Sequence, residues 1–318
     1  MRYLVRKSAI LLVTLFLVSL AVFFAFHVIP GDSAMLILGT EASEESLAAL
    51  RHEMGTDRGL FAQYTGWLGG IFRGDFGVSL KYSRSVADLL GSRILLTSLL
   101  GLMAFLLVFL AGIPLGLLAG RVRHPLAKAA IGAFSVLGIS LPGFFLSLLL
   151  IWIFGLVLKC FTPGNYVSLS EDAGAFFRFM LFPAVAVALP QIAVLAKYLA
   201  AAVREESSAP YVKAARSRGC SSFRLLTCHI FKNAVVSVVP LLGMIAGSIF
   251  SGSIIVEQVF GISGVGRLLI SAVSYRDFPL AQTIVLYIAA LVVLINFLVD
   301  LVVQWLDPRI RLEGRGRV

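Results

Sequence analysis

The chain has 318 residues, of which 59% are hydrophobic and only 14% are charged. Soluble domains carry about a quarter charged residues, so this composition excludes an ordinary soluble enzyme and indicates an integral membrane protein. The net charge of +10 does not indicate a nucleic-acid partner, because the cations concentrate in the short loops that set membrane topology.

Six apolar runs are long enough to cross a membrane, which takes about 20 mostly apolar residues in a helix. These runs lie at roughly 8–28, 94–119, 129–158, 179–202, 235–256 and 281–305. They lack the strict alternation of barrel strands, so they predict a bundle of helices. The predicted fold class is therefore an all-α integral membrane protein with six transmembrane helices.

The basic residues predict the side of the membrane on which each loop lies. With the N-terminus in the cytoplasm, the inside segments hold sixteen Lys and Arg residues and the outside segments hold ten. Six of those ten lie in residues 29–93, where eight acidic residues offset them. The excess predicts cytoplasmic N- and C-termini. The inside cations include Arg2, Arg6, Lys7, Arg121, Arg123, Lys128, Arg309 and Arg311.

The first run has a basic start but is long for a signal peptide, and no clear small-residue cleavage site follows it. It is therefore interpreted as a retained first helix. Pro30-Gly31-Asp32 is expected to stop this helix. His27, near its end, is interpreted as an interfacial side chain rather than a ligand, because no cluster of partner residues is visible in the sequence.

Residues 29–93 are predicted to form an outside segment with short helices of its own. Ser43 is suited to cap a helix that has Glu44 and Glu45 in its first turn and ends at Gly55. An amphipathic piece follows, and its aromatic residues suit the level of the lipid headgroups. This piece carries Phe61, Tyr64, Trp67, Leu68 and Phe72. Arg73-Gly74-Asp75-Phe76-Gly77 then predicts a turn.

Glycine and proline residues mark the second and third runs. In the second run, Gly101, Gly112 and Gly116 permit close approach of another helix, and Pro114 can kink the span. In the third run, Ser140-Leu141-Pro142-Gly143 is predicted to break the helix near mid-membrane. Broken helices often line the substrate path of transporters, and kinks without function are also frequent, so both interpretations stay open.

The fourth run contains a lysine, Lys197, near its inside end. A lysine within a span is costly unless it is paired or reaches the interface, and the second explanation is favoured here. An ion pair between Lys197 and Asp300 of the sixth run is a further hypothesis.

A basic, amphipathic segment at residues 207–233 separates the fourth and fifth runs. Ser208 is predicted to cap a short helix with Pro210 in its first turn, and Gly219 to follow it with positive φ. The apolar side of this helix is expected to carry Tyr211, Val212, Ala214 and Ala215. Ser221 or Ser222 is predicted to cap a second helix, whose apolar face is expected to carry Phe223, Leu226 and Ile230. The segment is expected to lie at the membrane surface.

Part of this segment resembles the cytoplasmic "EAA" loop of ABC-importer permeases, in particular the dipeptide/oligopeptide/nickel branch. The resembling residues are Tyr211, Val212, Lys213, Ala214, Ala215, Arg216, Ser217, Arg218 and Gly219. In that family the loop is a coupling helix that docks on an ATPase subunit. Lys213 stands where the broad superfamily has Glu, so the resemblance implies no charge-specific contact there. The alternative interpretation is a basic helix resting on anionic lipid.

Three further blocks extend the resemblance over essentially the whole chain. Residues 73–77 are similar to the turn in the first outer loop of the same branch. Residues 257–269 and 276–282 resemble the outer loop and the lead into the last helix, with Ser263 in place of a common proline. Gly264-x-Gly266 is not interpreted as a nucleotide motif, because it follows a membrane helix rather than a strand.

The resemblance implies a type I ABC-importer-like bundle in the bacterial cytoplasmic (inner) membrane. It implies a first helix and tail at 1–28, an extracytoplasmic loop at 29–93 and a permease core at 94–318 with the coupling loop at 203–234. The implied partners are a second homologous permease, two ATP-binding ATPase subunits, an extracytoplasmic solute-binding protein and membrane lipid, without nucleic acid. Dipeptides or oligopeptides are the implied cargo, with nickel or a metal chelate as the alternative.

The sequence shows no catalytic chemistry of its own. It has no phosphate-binding Gly-x-x-x-x-Gly-Lys-Ser/Thr loop and no His-Glu-x-x-His motif, and Cys160, Cys220 and Cys228 lack metal or redox spacing. We expect no catalytic residue, metal site or cofactor in this chain, with ATP and Mg bound by partner subunits. An ion-driven secondary transporter or a membrane-embedded enzyme would need ionisable groups at mid-membrane depth, which the sequence does not place there. The sequence identifies no substrate-binding residue.

Overall fold

The structure of the chain is a computed structural model that describes residues 2–28, 33–39, 42–122, 124–162, 164 and 166–306. The predicted helix stop at Pro30-Gly31-Asp32 and the predicted inside cations Arg123, Arg309 and Arg311 lie outside the described residues.

The described residues are helical apart from short connections and one isolated β-bridge between Val78 and Ser85. This architecture confirms the all-α prediction. The α-helices are α1 (Arg2–Val28), α2 (Ser33–Leu38), α3 (Glu44–Met54), α4 (Leu60–Phe72), α5 (Val86–Arg121), α6 (Pro125–Ser140), α7 (Gly143–Leu150), α8 (Ala173–Ser207), α9 (Pro210–Ser217), α10 (Ser222–Arg224), α11 (Phe231–Phe260), α12 (Val265–Ser274) and α13 (Phe278–Leu306). Two π-helical segments, π1 (Ile151–Val157) and π2 (Leu225–Ile230), continue α7 and lead into α11.

The described helices supply the six predicted spans. Five of them are long and apolar enough to cross a membrane, and the pair formed by α6 and the helix Gly143–Val157 supplies a sixth if it counts as one span. The observed helices extend beyond the apolar runs, so that α5 begins at Val86 rather than near residue 94. Hydropathy detects only the apolar part of a helix, whereas the helix itself continues through polar residues at its end. The apolar run is therefore shorter than the helix.

The third span is broken, as the sequence predicts. The axes of Pro125–Ser140 and Gly143–Val157 differ in direction by 105°. Leu141 is extended, with φ −80° and ψ 122°, which is the conformation favoured before a proline. Pro142 has no N–H to continue the helical hydrogen bonds, so the chain restarts as α7 at Gly143.

The chain divides into two compact units, one of residues 1–97 and 263–293 and the other of residues 98–262 and 294–318. The core of the first unit is formed by the start of α5, by α12 and by the start of α13. Its fully or nearly fully buried side chains include Val86, Leu89, Val265, Leu268, Leu280 and Ile284.

A buried carboxylate fixes the loop before α5 in the first unit. The side chain of Asp277 is completely buried. Its Oδ2 accepts hydrogen bonds from Ser79 Oγ at 2.5 Å and from the backbone N–H of Lys81 at 3.2 Å. Its Oδ1 accepts from the backbone N–H of Leu280 at 3.3 Å. These bonds replace the hydrogen bonds to water that a carboxylate loses when it is buried. Asp277 therefore ties the loop before α5 to the start of α13.

The helix α3 follows the capping pattern that the sequence predicts. Ser43 Oγ accepts from the backbone N–H of Ser46 at 3.2 Å, and Gly55 ends α3 with φ +68°.

Tyr64 of α4 is buried, and its hydroxyl hydrogen-bonds to Ser19 of α1 at 2.8 Å. Phe61 and Phe72 are more than 80% exposed, so the aromatic residues of α4 do not share one buried face.

The second unit contains a close contact between α5 and α8. Three glycines of α5 are spaced four residues apart, and a Cβ added to any of them would lie 2.6–2.9 Å from a side-chain atom of α8. The prediction that small residues of α5 allow close helix approach is confirmed. The facing pairs are Gly112 with Leu195, Gly116 with Leu199 and Gly120 with Val203.

Candidate functional site

The predicted coupling helix is present as α9, which lies on the connection between α8 and α10. Pro210 occupies its first turn, as the sequence predicts. The N-cap is Ala209, so the prediction that Ser208 caps this helix is wrong. Only two residues join α8 to α9, and the hydroxyl of Ser208 is already bound to the backbone carbonyl of Glu205 at 2.7 Å, at the end of α8.

The other end of α9 has the glycine that the sequence predicts. Gly219 has φ +77°, a region that residues with a Cβ rarely adopt. Its backbone N–H donates to the carbonyl of Arg216 at 3.0 Å, and that of Cys220 donates to Ala215 at 3.2 Å. These bonds satisfy the last carbonyls of α9 and turn the chain toward α10.

The helix α9 rests on the protein through one buried side chain. Val212 is only 1% exposed, and α9 contacts the segment π2. Ala215 is half-buried, whereas Tyr211 and Ala214 are exposed, so the predicted apolar side is narrower than expected. A short helix anchored at Val212 leaves most of its surface available to a partner. The other exposed residues of α9 and its C-cap are Lys213, Arg216, Ser217 and Arg218.

The helix after Gly219 is only partly as predicted. Ser221 is its N-cap, and its Oγ accepts from the backbone N–H of Arg224 at 3.4 Å. Leu226 and Ile230 are buried, but Phe223 is 74% exposed, so its assignment to the apolar face is wrong. The chain winds as the π-helix π2 from Leu225, so the spacing of an α-helical face does not apply across it.

The hydroxyl of Tyr211 joins α9 to the helices on both sides of it. It donates a hydrogen bond of 2.5 Å to Glu206 Oε2 in α8. It accepts a bond of 2.9 Å from Asn233 Nδ2 in α11. With Val212 buried beside it, Tyr211 gives α9 a defined position relative to two membrane-spanning helices. The sequence pattern predicts Tyr211 on an apolar side and indicates no role for Asn233, because no local spacing links the two residues.

At neutral pH the hydrogen bonds of the Tyr211 hydroxyl are maintained, and the exposed surface of α9 is basic. Partial burial, and secondarily the hydrogen bond to Glu206, raise the pKa of Tyr211, so the phenol stays protonated and continues to donate. Lys213, Arg216 and Arg218 are exposed. Arg218 Nε lies 3.3 Å from the carbonyl oxygen of Ala214, where a cation complements the carboxyl end of the helix dipole.

Lys197, the lysine that the sequence places within the fourth span, belongs to α8 and not to α9. Its side chain is exposed on α8 and borders a cavity of about 250 Å³ together with Lys128 and Arg204. Reaching the interface remains our interpretation of this lysine, and its pairing with Asp300 remains a prediction. Among the described residues there is no cluster of three or more His, Cys, Asp or Glu side chains that is arranged to hold a metal ion.

Five described helices that can span a membrane, a sixth bent helix pair and a short exposed helix tied to two of the spans define a multi-pass membrane protein. The particular family follows from comparison of the chain with known families. The chain belongs to the binding-protein-dependent transport system inner membrane component family, whose model matches residues 112–312. The N-terminal model of the same membrane component matches residues 1–94.

Full-length relatives carry the same assignment. A protein of Brucella abortus (strain 2308), named as a peptide transport system permease, is 33% identical over 97% of this chain and 98% of its own length. The glutathione transport system permease protein GsiC of Escherichia coli (strain K12) is 32% identical over 98% of this chain and 99% of its own length. The prediction of a multi-pass permease of an ABC transporter in the inner membrane is confirmed.

Proposed function

We propose that this chain is the permease subunit of an ATP-driven importer of short peptides. The cargo assignment is supported by the names of relatives that match nearly the whole chain, which are peptide and glutathione permeases. No comparable observation favours nickel or a metal chelate. The chain itself is proposed to provide the path, with hydrolysis of ATP in separate subunits that bind ATP and Mg.

The observation that carries the coupling role is the attachment of α9. This helix is exposed over most of its surface, yet Tyr211 ties it to α8 and α11, its Val212 side chain is buried, and the helix contacts π2. A force applied to its exposed side is therefore transmitted to two spans rather than absorbed by a flexible loop. We infer that an ATPase subunit docks on residues 211–219, and that these residues lie on the cytoplasmic side.

The complete transporter is proposed to contain a second, homologous permease and two ATPase subunits. Six helices are few for a gated path as wide as a peptide, so a second bundle completes it. A solute-binding protein outside the membrane is proposed to deliver the peptide. The wide exposure of apolar side chains on the spans fits contact with lipid and with a second permease.

The test is uptake by the assembled transporter. The chain is reconstituted in proteoliposomes with its ATPase, second permease and binding-protein partners, with ATP on the ATPase side. ATP-dependent accumulation of labelled dialanine, and none of Ni²⁺, is the expected result. Accumulation of Ni²⁺ alone, or transport by this chain without partners under an ion gradient, would overturn the proposal.

A further inference from the structure

The first compact unit contains a cavity of about 330 Å³ that the coupling role does not use. It lies between the end of α1, the turn after α3, the helix α4, the 73–77 turn and the start of α13. Its volume is at the lower end of the roughly 300–1,000 Å³ of ligand pockets. In the proposed topology this end of α1 is extracytoplasmic, on the side from which a solute arrives.

One of the residues that line the cavity has a buried polar atom without a partner. Gln282 lines the cavity and is only 8% exposed. Its Nε2 is buried and makes no hydrogen bond within the described structure. Beside it, the ring of Phe23 is 2% exposed and packs against Trp67 with a centroid separation of 5.8 Å. A buried amide without a partner is costly, so rotation of this amide toward the cavity, where an oxygen atom of a bound molecule could accept from it, would restore a lost hydrogen bond.

Side-chain hydrogen bonds hold the walls of the cavity in place. Gln63 Nε2 donates to the backbone carbonyls of Thr56 at 3.0 Å and of Arg58 at 2.7 Å. The amide oxygen of Gln63 therefore faces His27 Nε2, at 2.9 Å. These bonds link the turn after α3 to α4 and α1. Because these bonds already order the walls, binding of a ligand loses little conformational entropy there.

The mouth of the cavity carries one charge of each sign. Arg58 and Asp75 both line the cavity and are exposed. Asp75 Oδ1 accepts from the backbone N–H of Gly77 at 3.0 Å, which fixes the carboxylate on its turn. Four glycines also line the cavity, and a Cβ at one of them, Gly66, would meet no atom within 4 Å. The lining therefore leaves room for the backbone of a ligand.

We propose that this cavity binds a short peptide with free termini, as an outer reception site on the permease. Arg58 binds the terminal carboxylate, Asp75 binds the terminal ammonium, and Gln282 donates to the peptide carbonyl. Phe23 and Trp67 cover the apolar part of the ligand. This inference rests on the proposed peptide cargo and adds a binding site that belongs to the permease itself.

The test uses Trp67 as a reporter in the full chain. The chain has three tryptophans, so Trp152→Phe and Trp305→Phe leave Trp67 as the only indole. With this protein in nanodiscs, dialanine is expected to shift the Trp67 emission saturably. N-acetyl-dialanine-methylamide, whose ends are uncharged, is expected to cause no shift at the same concentrations.

Substitutions then locate the binding groups. Gln282→Leu is expected to weaken dialanine binding about tenfold, since it removes the only buried donor proposed to reach the peptide. Gln304→Leu, the same change near the other end of α13, serves as the matched control and is expected to bind like the parent. Arg58→Gln and Asp75→Asn are each expected to reduce the difference in affinity between the free and the blocked peptide.

Three results would overturn this site. They are a Trp67 emission that dialanine does not change, an equal response to free and blocked peptide, and unaltered binding by Gln282→Leu. If the assembled transporter still imports dialanine in such a case, only the reception site fails and the proposed function stands. If the assembled transporter imports another solute and no peptide, the proposed function itself fails, and the site fails with it.

Discussion

The side-chain amide of Asn233 donates a hydrogen bond of 2.9 Å to the hydroxyl of Tyr211, twenty-two residues earlier in the chain. Because that hydroxyl also donates to Glu206, a single oxygen atom links α8, α9 and α11. The proposed ATPase-docking helix is thus fixed to the two spans that flank it. A rigid attachment of this kind is what transmission of a docking movement requires.

Replacing Tyr211 with Phe removes both hydrogen bonds and keeps the ring. The expected loss is about 0.5–1.5 kcal/mol of local stability for each bond, toward the lower end because the hydroxyl is partly exposed. Hydrogen exchange of the α9 amides should accelerate, and peptide uptake per ATP hydrolysed should fall. Tyr198→Phe is the control, since Tyr198 is 58% exposed on α8. Unchanged exchange at α9 in Tyr211→Phe would contradict the proposed clamp.

Ala214→Glu tests the docking surface directly. Ala214 is exposed, so the chain is expected to insert and fold normally. A bulky carboxylate in the interface should weaken ATPase binding by roughly tenfold, or about 1.4 kcal/mol, and reduce uptake in parallel. Co-purification with the ATPase and uptake are the two measurements. Ser222→Glu, at an exposed position outside residues 211–219, is expected to behave like the parent chain. Normal ATPase binding by Ala214→Glu would argue against docking at α9.

The titrations of Tyr211 and Tyr82 should move in opposite directions. Partial burial raises the pKa of Tyr211, whereas the hydrogen bond with Ser271 and the positive charge of Lys81 lower the pKa of Tyr82. Phenolate absorbance, compared between the parent and each Tyr→Phe variant, should show Tyr82 ionising below pH ~10 and Tyr211 above it. The contribution of Tyr211 to stability is complete below its unfolded pKa and is lost as the pH rises through the folded value. Titration of both residues at the same pH would refute this assignment.

Gly116→Ala tests the contact between α5 and α8. The added Cβ would lie 2.8 Å from Leu199, which is too close for two carbon atoms. Separation of the helices should cost about 1–3 kcal/mol and lower the thermal unfolding temperature in detergent. Gly91→Ala, in the same helix but with open space around the new Cβ, provides the control and is expected to be neutral or slightly stabilising. Equal unfolding temperatures for the two variants would rule out tight packing at Gly116.

Ser79→Ala tests the buried carboxylate of Asp277. The substitution removes the donor at 2.5 Å and leaves Oδ2 with the longer bond from the Lys81 amide. Loss of a donor to a buried charge is expected to cost roughly 1–3 kcal/mol and to expose the 79–85 loop to proteolysis. Ser85→Ala, at an exposed position in the same loop, is the comparison. A loop that resists proteolysis equally in both variants would show that Asp277 does not hold it.

The sequence determined the properties that depend on local composition and spacing. Hydropathy predicted the six spans, because a bilayer demands about 20 apolar residues for each helix. Pro142 predicted the break in the third span, Ser43 and Gly55 predicted the ends of α3, and Gly219 predicted the turn after α9. Each of these signals acts on its own residue or its nearest neighbours, so no knowledge of the tertiary structure was needed.

Only the tertiary structure decided which distant residues meet. The bonds of Tyr211 to Asn233, of Ser79 to Asp277 and of His27 to Gln63 join positions that no periodic pattern relates. The exposure of Phe223 could not be predicted from the sequence either, because the chain changes from α-helical to π-helical winding at Leu225. A cavity such as the one at Gln282 arises where several separate segments pack imperfectly. Its volume and its unpaired amide are therefore properties of the packed molecule and not of any single stretch of sequence.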